Sequence, residues 1–328
     1  MRSAIATLIL AGAIGCAAEY GVRQALPPVT VPDGPPPLAD DEHEDTWVQR
    51  VSPASDVLFV VDNSCSMRNE QAALGDNFEA FLEALLLTDT DFHIGVVSTD
   101  MVDPDHMGQL QASDGVRYLD VDTPNPPFHF GQMVDLGIDG DWTERGRSAA
   151  FTAVEAGLAE GWLREEASLH IVVVSDEDDA TDDISREEFT EYLRGLKVAP
   201  FSVTFSSIVG PEGAALDPWA PCSAEYGLEY LEITWALGGL DLSICKRDWG
   251  PLLAELGSVA AGLRKEFFLT RRPIPKTIQV TIEVDGEPQE FEGPTSGFLY
   301  EARRNKVTLV NYLPPDGAVI KVRYREAN

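Results

Sequence analysis

The sequence predicts an α/β fold: a doubly wound, mostly parallel sheet followed by a small antiparallel β unit. Three observations predict it. Short, wholly apolar runs such as "VLFVV" (Val57 to Val61) and "LHIVVV" (Leu169 to Val174) recur, as expected of strands buried on both faces. Segments with helical spacing separate them. After Phe268 the period changes to a strict alternation of apolar and polar residues.

The elements follow in order. After Val57 to Val61, the residues Leu74, Phe78, Phe81, Leu82 and Leu85 fall at helical spacing and predict one amphipathic helix. "FHIGVV" (Phe92 to Val97) is a second strand. Residues Met101 to Phe130 form a long polar, Pro-rich insertion. Phe151, Val154, Leu158 and Trp162 mark the next helix, and Leu169 to Val174 the third strand. Ser185 and Glu188 make a capping-box pair at the start of a helix whose apolar face is Phe189, Tyr192, Leu193 and Leu196. "FSVTFSSIV" is a fourth strand, "YLEITWALGG" a helix, "LDLSI" a short strand and "WGPLLAELGSVAAGL" a closing helix. In the C-terminal part Ile278, Val280, Ile282 and Val284 alternate up to a turn at Asp285-Gly286. Two short strands in "GFLYEARRNKVTLV" follow, then a turn at Pro314 to Gly317 and a last alternation at Ile320, Val322 and Tyr324.

The chain has 328 residues and a net charge of −31. Such an acidic surface repels phosphate and excludes nucleic acid as a partner. From Arg264 onward there are 11 Lys/Arg and 9 Asp/Glu, so the negative charge lies in the preceding part. This asymmetry separates two folded regions of different character.

The N-terminus reads as a targeting segment. Arg2 precedes an apolar stretch, Ile5 to Ile14, too short to span a bilayer, which ends in small residues running into Cys16. The pattern resembles a bacterial lipoprotein signal, which implies a lipid on Cys16 and an anchor in the cell envelope, with Ala17 resembling the outer-membrane type of sorting. Leu26 to Asp45 holds six prolines and then a cluster of acids, the composition of an extended, self-repelling tether. The expected organisation is a signal over 1–15, a tether over 16–54, an α/β domain over 55–270 and a β domain over 271–328.

The chemistry centres on "DNSCSM" at the end of the first strand. Asp62, Ser64 and Ser66 stand at alternate positions there, and Asp176 ends a later strand in "IVVVSDEDDATDD". In an open α/β sheet both positions lie on the carboxyl edge, where ligands bind. Thr143 stands three residues before Gly146 at a helix start. In this order the motifs resemble the metal-ion-dependent adhesion site of von Willebrand factor type A domains, and the wording "DVLFVVDNSCSM", "HIGVVSTDM" and "VVSDEDD" resembles their bacterial lipoprotein branch.

The resemblance implies that Asp62, Ser64, Ser66, Thr143 and Asp176 hold a divalent cation, with Mg²⁺ first and Ca²⁺ or Mn²⁺ as alternatives. It also implies that the cation grips a carboxylate of a protein partner, or a glycan, rather than catalysing a reaction. Hard cations take about six oxygens, and neutral hydroxyls leave the ion electron-poor enough to accept one more carboxylate. Two departures stand out. Glu177 follows Asp176 where the family commonly has Gly, and bulky Trp142 precedes Thr143, which makes Glu144 an alternative contributor to Thr143. Further readings are a metal-dependent hydrolase, for which no His or Lys stands beside the motif as a base, and a metal-stabilised structural component of the envelope.

The five histidines show no zinc-ligand spacing, and His170, inside an apolar run, reads as structural. The acids of Asp176 to Asp183 read as a solvated loop, with a second cation as the alternative. With Cys16 assigned to the anchor, an exported compartment favours a disulfide between Cys222 and Cys245, although Cys65 can pair with either.

Overall fold

The structure is a computed structural model of the chain, and it describes residues 41–197, 202–213, 223–291, 293 and 297–327. The signal segment, Cys16 and Cys222 lie outside the described residues. Among the described residues no helix is long and apolar enough to cross a membrane.

The centre is a five-stranded sheet, all parallel, of β2 (Ala54–Val61), β3 (Asp91–Ser98), β4 (Ser168–Ser175), β5 (Val203–Val209) and β6 (Asp241–Ser243), in the order β3-β2-β4-β5-β6. Successive side chains of β2 enter opposite cores. Val57, Phe59 and Val61 face α1 (Arg68–Asp76), α2 (Phe78–Leu86), α3 (Pro126–Val134) and α7 (Gly250–Ala260). Leu58 and Val60 face α4 (Gly146–Glu160), α5 (Arg186–Leu196) and α6 (Leu228–Leu237). With a core on both faces, the central strands have no solvent side, which is why they read as continuous apolar runs. The chain reverses direction across the sheet between β2 and β4. That is the topological switch point, and Asp62 and Asp176 stand just beyond the ends of its two strands.

The capping box of α5 is present, with Ser185 Oγ accepting from Glu188 N and Glu188 returning to Ser185 N. The expected single helix over Leu74 to Leu85 is two helices. Asn77 leaves helical geometry at φ −108°, ψ 5°, and its side chain donates to the Ala73 carbonyl at 2.8 Å, ending α1. The Met101 to Phe130 insertion contains α3, which opens on Pro126 and Pro127, residues suited to a first helical turn. Phe130 of α3 stacks on Phe78 at 3.7 Å, so the end of the insertion belongs to the core.

The C-terminal region is a two-layer β structure. One sheet has the order β1-β12-β8-β9, from β1 (Glu42–Val48), β12 (Val319–Arg325), β8 (Gln279–Val284) and β9 (Glu287–Phe291). The other has the order β10-β11-β7, from β10 (Phe298–Glu301), β11 (Lys306–Leu309) and β7 (Glu266–Phe268). Residues of both sheets, including Phe267, Ile282, Val307 and Val322, share one core.

Two expected boundaries are thereby corrected. Glu42–Val48, assigned above to the tether, is an edge strand paired antiparallel with β12 along its whole length. Its buried Asp45 holds it there, accepting from Tyr324 Oη at 2.8 Å and Thr270 N at 3.0 Å, while Trp47 packs on Phe267. Likewise Glu266–Phe268, assigned to the α/β domain, pairs with β11.

Candidate functional site

The loops after β2, β3 and β4 meet at the switch point, joined by the last turns of the sheet: Asp62 N donates to Val174 O and Thr99 N to Val61 O. The loop before α4 completes the site. Gly140 N donates to Asn63 O at 3.1 Å, and a Cβ on Gly140 would lie 2.5 Å from the Asn63 side chain, so only glycine permits this approach. Asp100 ties the same loop to the end of β3. Its carboxylate accepts from Val102 N, Asp103 N and Asp141 N.

Four of the five expected ligands form one hydrogen-bonded chain. Asp62 is fully buried, and its two oxygens accept from Ser64 N and Ser175 Oγ, both at 2.7 Å. Ser64 Oγ lies 3.1 Å from Ser66 Oγ, and Ser66 Oγ donates to Asp176 Oδ1 at 3.0 Å. Ser66 is exposed and Asp176 half-buried, so the chain runs from a buried base to an open mouth. Thr143, the fifth, is half-buried and its side chain makes no hydrogen bond among the described residues. Its neighbour Glu144 occupies the inner position: it is 2% exposed, accepts from Thr99 Oγ1, and lies within the electrostatic influence of Asp62.

The electrostatics are one-sided. Burial, and then the Asp62 charge, push the Glu144 carboxyl up to about 9, against the opposing bond from Thr99. Burial and Asp62 likewise raise Asp176 to about 6. Burial also raises Asp62, despite the bonds from Ser175 and Ser64, and Glu177 is raised by burial and by Asp62 and Asp176. Among the described residues none of these four carboxylates has a basic partner. Three buried acceptor oxygens, Asn63 Oδ1 and Glu144 Oε1 on these loops and Glu70 Oε2 in the first turn of α1, have no hydrogen-bond donor among the described residues. Such an excess of buried acceptors is costly unless a cation or protons satisfy it.

A divalent cation fits these residues. Ser64, Ser66 and Thr143 offer hydroxyls, and Asp62, Glu144 and Asp176 offer carboxylates, all hard oxygen donors. Among the described residues no three His, Cys, Asp or Glu side chains form a ready-made metal cluster, so the donor set is a mixed one that depends on the serines.

The acidic run after Asp176 differs from its expected reading as a solvated loop. Asp179 is buried and pairs with Arg147 Nη1 at 3.0 Å, Arg147 Nη2 donates to Thr181 O at 2.8 Å, and Ser148 Oγ donates to Asp183. Asp178 accepts from Glu229 N at 2.9 Å. The loop is bolted to the start of α4 by a buried arginine, and Asp179 has a guanidinium as its counter-charge rather than a second cation. Nothing in the spacing of Arg147 signalled this role; only the excess of acids over bases around it did.

The histidines occupy structural positions: His170 Nε2 meets Ser206 Oγ at 2.8 Å, and His106 and His129 bond to Ser98 and Ser113. Cys65 is a free, exposed thiol and Cys245 is buried beside β6, while the expected partner of Cys245, Cys222, lies outside the described residues.

No protein-family model matches the chain, and no curated protein matches it. Among solved structures it is similar to proximal thread matrix protein 1 from the mussel byssus, with 11% identity, TM-score 0.39, and coverage of 68% of this chain and 51% of that one. The same mussel protein with a zinc-occupied MIDAS motif gives 15% identity, TM-score 0.38, and 66% and 48% coverage. The pilus adhesin SpaC from Lactobacillus rhamnosus GG, in an open conformation, gives 9% identity, TM-score 0.38, and 87% and 41% coverage. The chain spans about half the length of these neighbours or less.

Proposed function

We propose that this chain is a lipid-anchored von Willebrand factor type A protein of a bacterial cell envelope, in which a divalent cation at the switch point holds a carboxylate of a protein partner. One observation carries the reading. Buried carboxylates without basic partners, orphaned acceptor oxygens and a Ser64–Ser66–Asp176 hydroxyl chain converge at the carboxyl edge of the sheet. Ser64, Ser66 and Asp176 line the mouth, and Asp62 and Glu144 lie beneath it. The cation, when bound, supplies the positive charge that this acidic region lacks, and leaves a face toward solvent for a partner's carboxylate.

Glu144 sets this site apart from the pattern expected from the sequence. A carboxylate at the inner position adds charge to the donor set, which favours tighter cation retention over a strongly electron-poor ion. Mg²⁺ is the first candidate and Mn²⁺ or Ca²⁺ the alternatives. No imidazole or amine stands among the site's residues as a general base, and the function proposed is binding, in adhesion or complex assembly, rather than catalysis. Exposed Trp142 and Val102 flank the site, on loops held together by Asp100. The test is affinity capture from envelope extract with Mg²⁺ against EDTA, and with Asp62→Ala as control. Partner retention in EDTA or by Asp62→Ala contradicts the proposal.

A further inference from the structure

On the opposite edge of the parallel sheet, at the amino ends of its strands, a cleft separates the α/β layers from the C-terminal β structure. It has two lobes of about 620 and 610 Å³, which share Trp47, Ser202, Arg264 and Phe267 in their walls. Each lobe lies within the range of small-molecule sites, and a boundary between two layers of structure is where such sites form.

The chemistry of its walls is unlike the rest of this acidic chain. The first lobe collects Lys197, Arg194 and Arg264. Arg194 pairs with Glu191, and Glu266, the acid in the same wall, pairs with Lys306 at 2.7 Å. Lys197 donates to the Arg164 carbonyl and makes no ion pair among the described residues. Arg264 meets Thr204 Oγ1 at 3.3 Å, and burial pulls its guanidinium below its ordinary range. Around these cations the walls are apolar and aromatic: Trp47, Trp235 and Phe267 line the lobe.

The second lobe reaches His170, whose hydrogen bonding is incomplete. Ser206 Oγ accepts from Leu240 N at 2.9 Å and lies 2.8 Å from His170 Nε2. Burial keeps this ring neutral. Its buried Nδ1 has no hydrogen-bond partner among the described residues. This unpartnered ring nitrogen belongs to the same wall as the Arg264 guanidinium.

We propose that this cleft is a binding site for a small monocarboxylate with an apolar body, its head taken by Arg264 and Lys197 and its body by Trp47, Trp235 and Phe267. Charge complementarity selects an anion, because Arg50, Arg194, Lys197 and Arg264 outnumber Glu166 and Glu266 in these walls, in a chain of net charge −31. The aromatic walls select an apolar body over a bare inorganic ion. The site is separate from the cation site at the other edge of the sheet, and its occupancy does not depend on that reading.

The test uses the full chain and a contact quencher. The probe is 8-bromooctanoate, whose bromine quenches the tryptophans it touches, with 8-bromooctan-1-ol as the neutral control. The expected result is saturable quenching by the acid, with the alcohol weaker by about tenfold or more, the worth of one charge-assisted hydrogen bond. Arg264→Met weakens the acid by a similar factor, and Lys197→Gln, on a half-exposed side chain, weakens it severalfold without unfolding the protein. Trp47→Phe reduces the quenched fraction. Absence of saturable quenching, equal binding of acid and alcohol, or unchanged affinity in Lys197→Gln together with a folded Arg264→Met overturns the proposal. EDTA leaves the expected binding unchanged.

Discussion

Replacing Glu144 by Gln should stabilise the cation-free protein and flatten its response to pH. The carboxyl is buried against Asp62 and titrates at about 9, raised from 4.5 chiefly by burial and then by the Asp62 charge. With its folded value above its unfolded one, the folded state keeps a proton that the unfolded chain releases. Stability from this group is therefore full below about pH 4.5 and declines as pH rises toward 9. At about 1.4 kcal/mol per pH unit, the loss by pH 7 amounts to roughly 3 kcal/mol if Glu144 carries it alone, and to about half that if Asp62 shares it. Gln keeps the shape: its carbonyl accepts from Thr99 Oγ1, and its neutral amide adds no charge beside Asp62. The variant should melt about 3–10 °C above the parent near pH 8 in EDTA and about level with it near pH 5. Saturating Mg²⁺ should close most of the gap, since the cation relieves the same repulsion in the parent while the variant binds it less tightly. Thermal melts across pH 5 to 9, with and without Mg²⁺, measure this. A variant that melts below the parent at pH 8 in EDTA, or that keeps the parent's pH slope, refutes the reasoning.

Further outcomes follow from the same contacts. Arg147→Met removes the guanidinium from buried Asp179 and should cost about 3–5 kcal/mol in denaturant unfolding, with weakened cation affinity through the displaced Asp176 loop. Gly140→Ala places a Cβ against Asn63 and should weaken cation binding with little change in far-ultraviolet circular dichroism. His170 is held neutral by burial, at about 3 against an ordinary 6.5, so its contribution is complete above pH 6.5 and is lost as pH falls toward 3. His170→Gln should remove part of that acid sensitivity in unfolding curves between those limits.

How much of this was legible in the sequence depends on where each signal lay. The central strands were legible because burial on both faces makes them apolar throughout, and no neighbouring pattern competes with Val57–Val61 or Leu169–Val174. Asp62 and Asp176 were legible because each ends such a run at a fixed edge of the sheet. The edge strand β1 was not. "EHEDTWV" offers only Asp45 and Trp47 as inward residues, and its partner β12 is some 280 residues away in the chain. The break at Asn77 was hidden because the apolar spacing continues through it while a local side-chain bond ends the helix. Glu144 was visible only as an alternative to Thr143, since both flank the same turn and sequence does not say which side chain turns inward. Arg147 was silent because its partners, Asp179 and Thr181 of the Asp176 loop and Glu229 of α6, are remote in the chain.

The most direct test of the central claim is calorimetric titration of the full chain with Mg²⁺ and with Mn²⁺, alongside Asp62→Ala and Ser66→Ala. The cation site predicts one saturable ion per chain, abolished by Asp62→Ala and weakened by Ser66→Ala, with each variant folded by circular dichroism. Absence of binding in the parent at millimolar cation, or binding that survives Asp62→Ala unchanged, contradicts it.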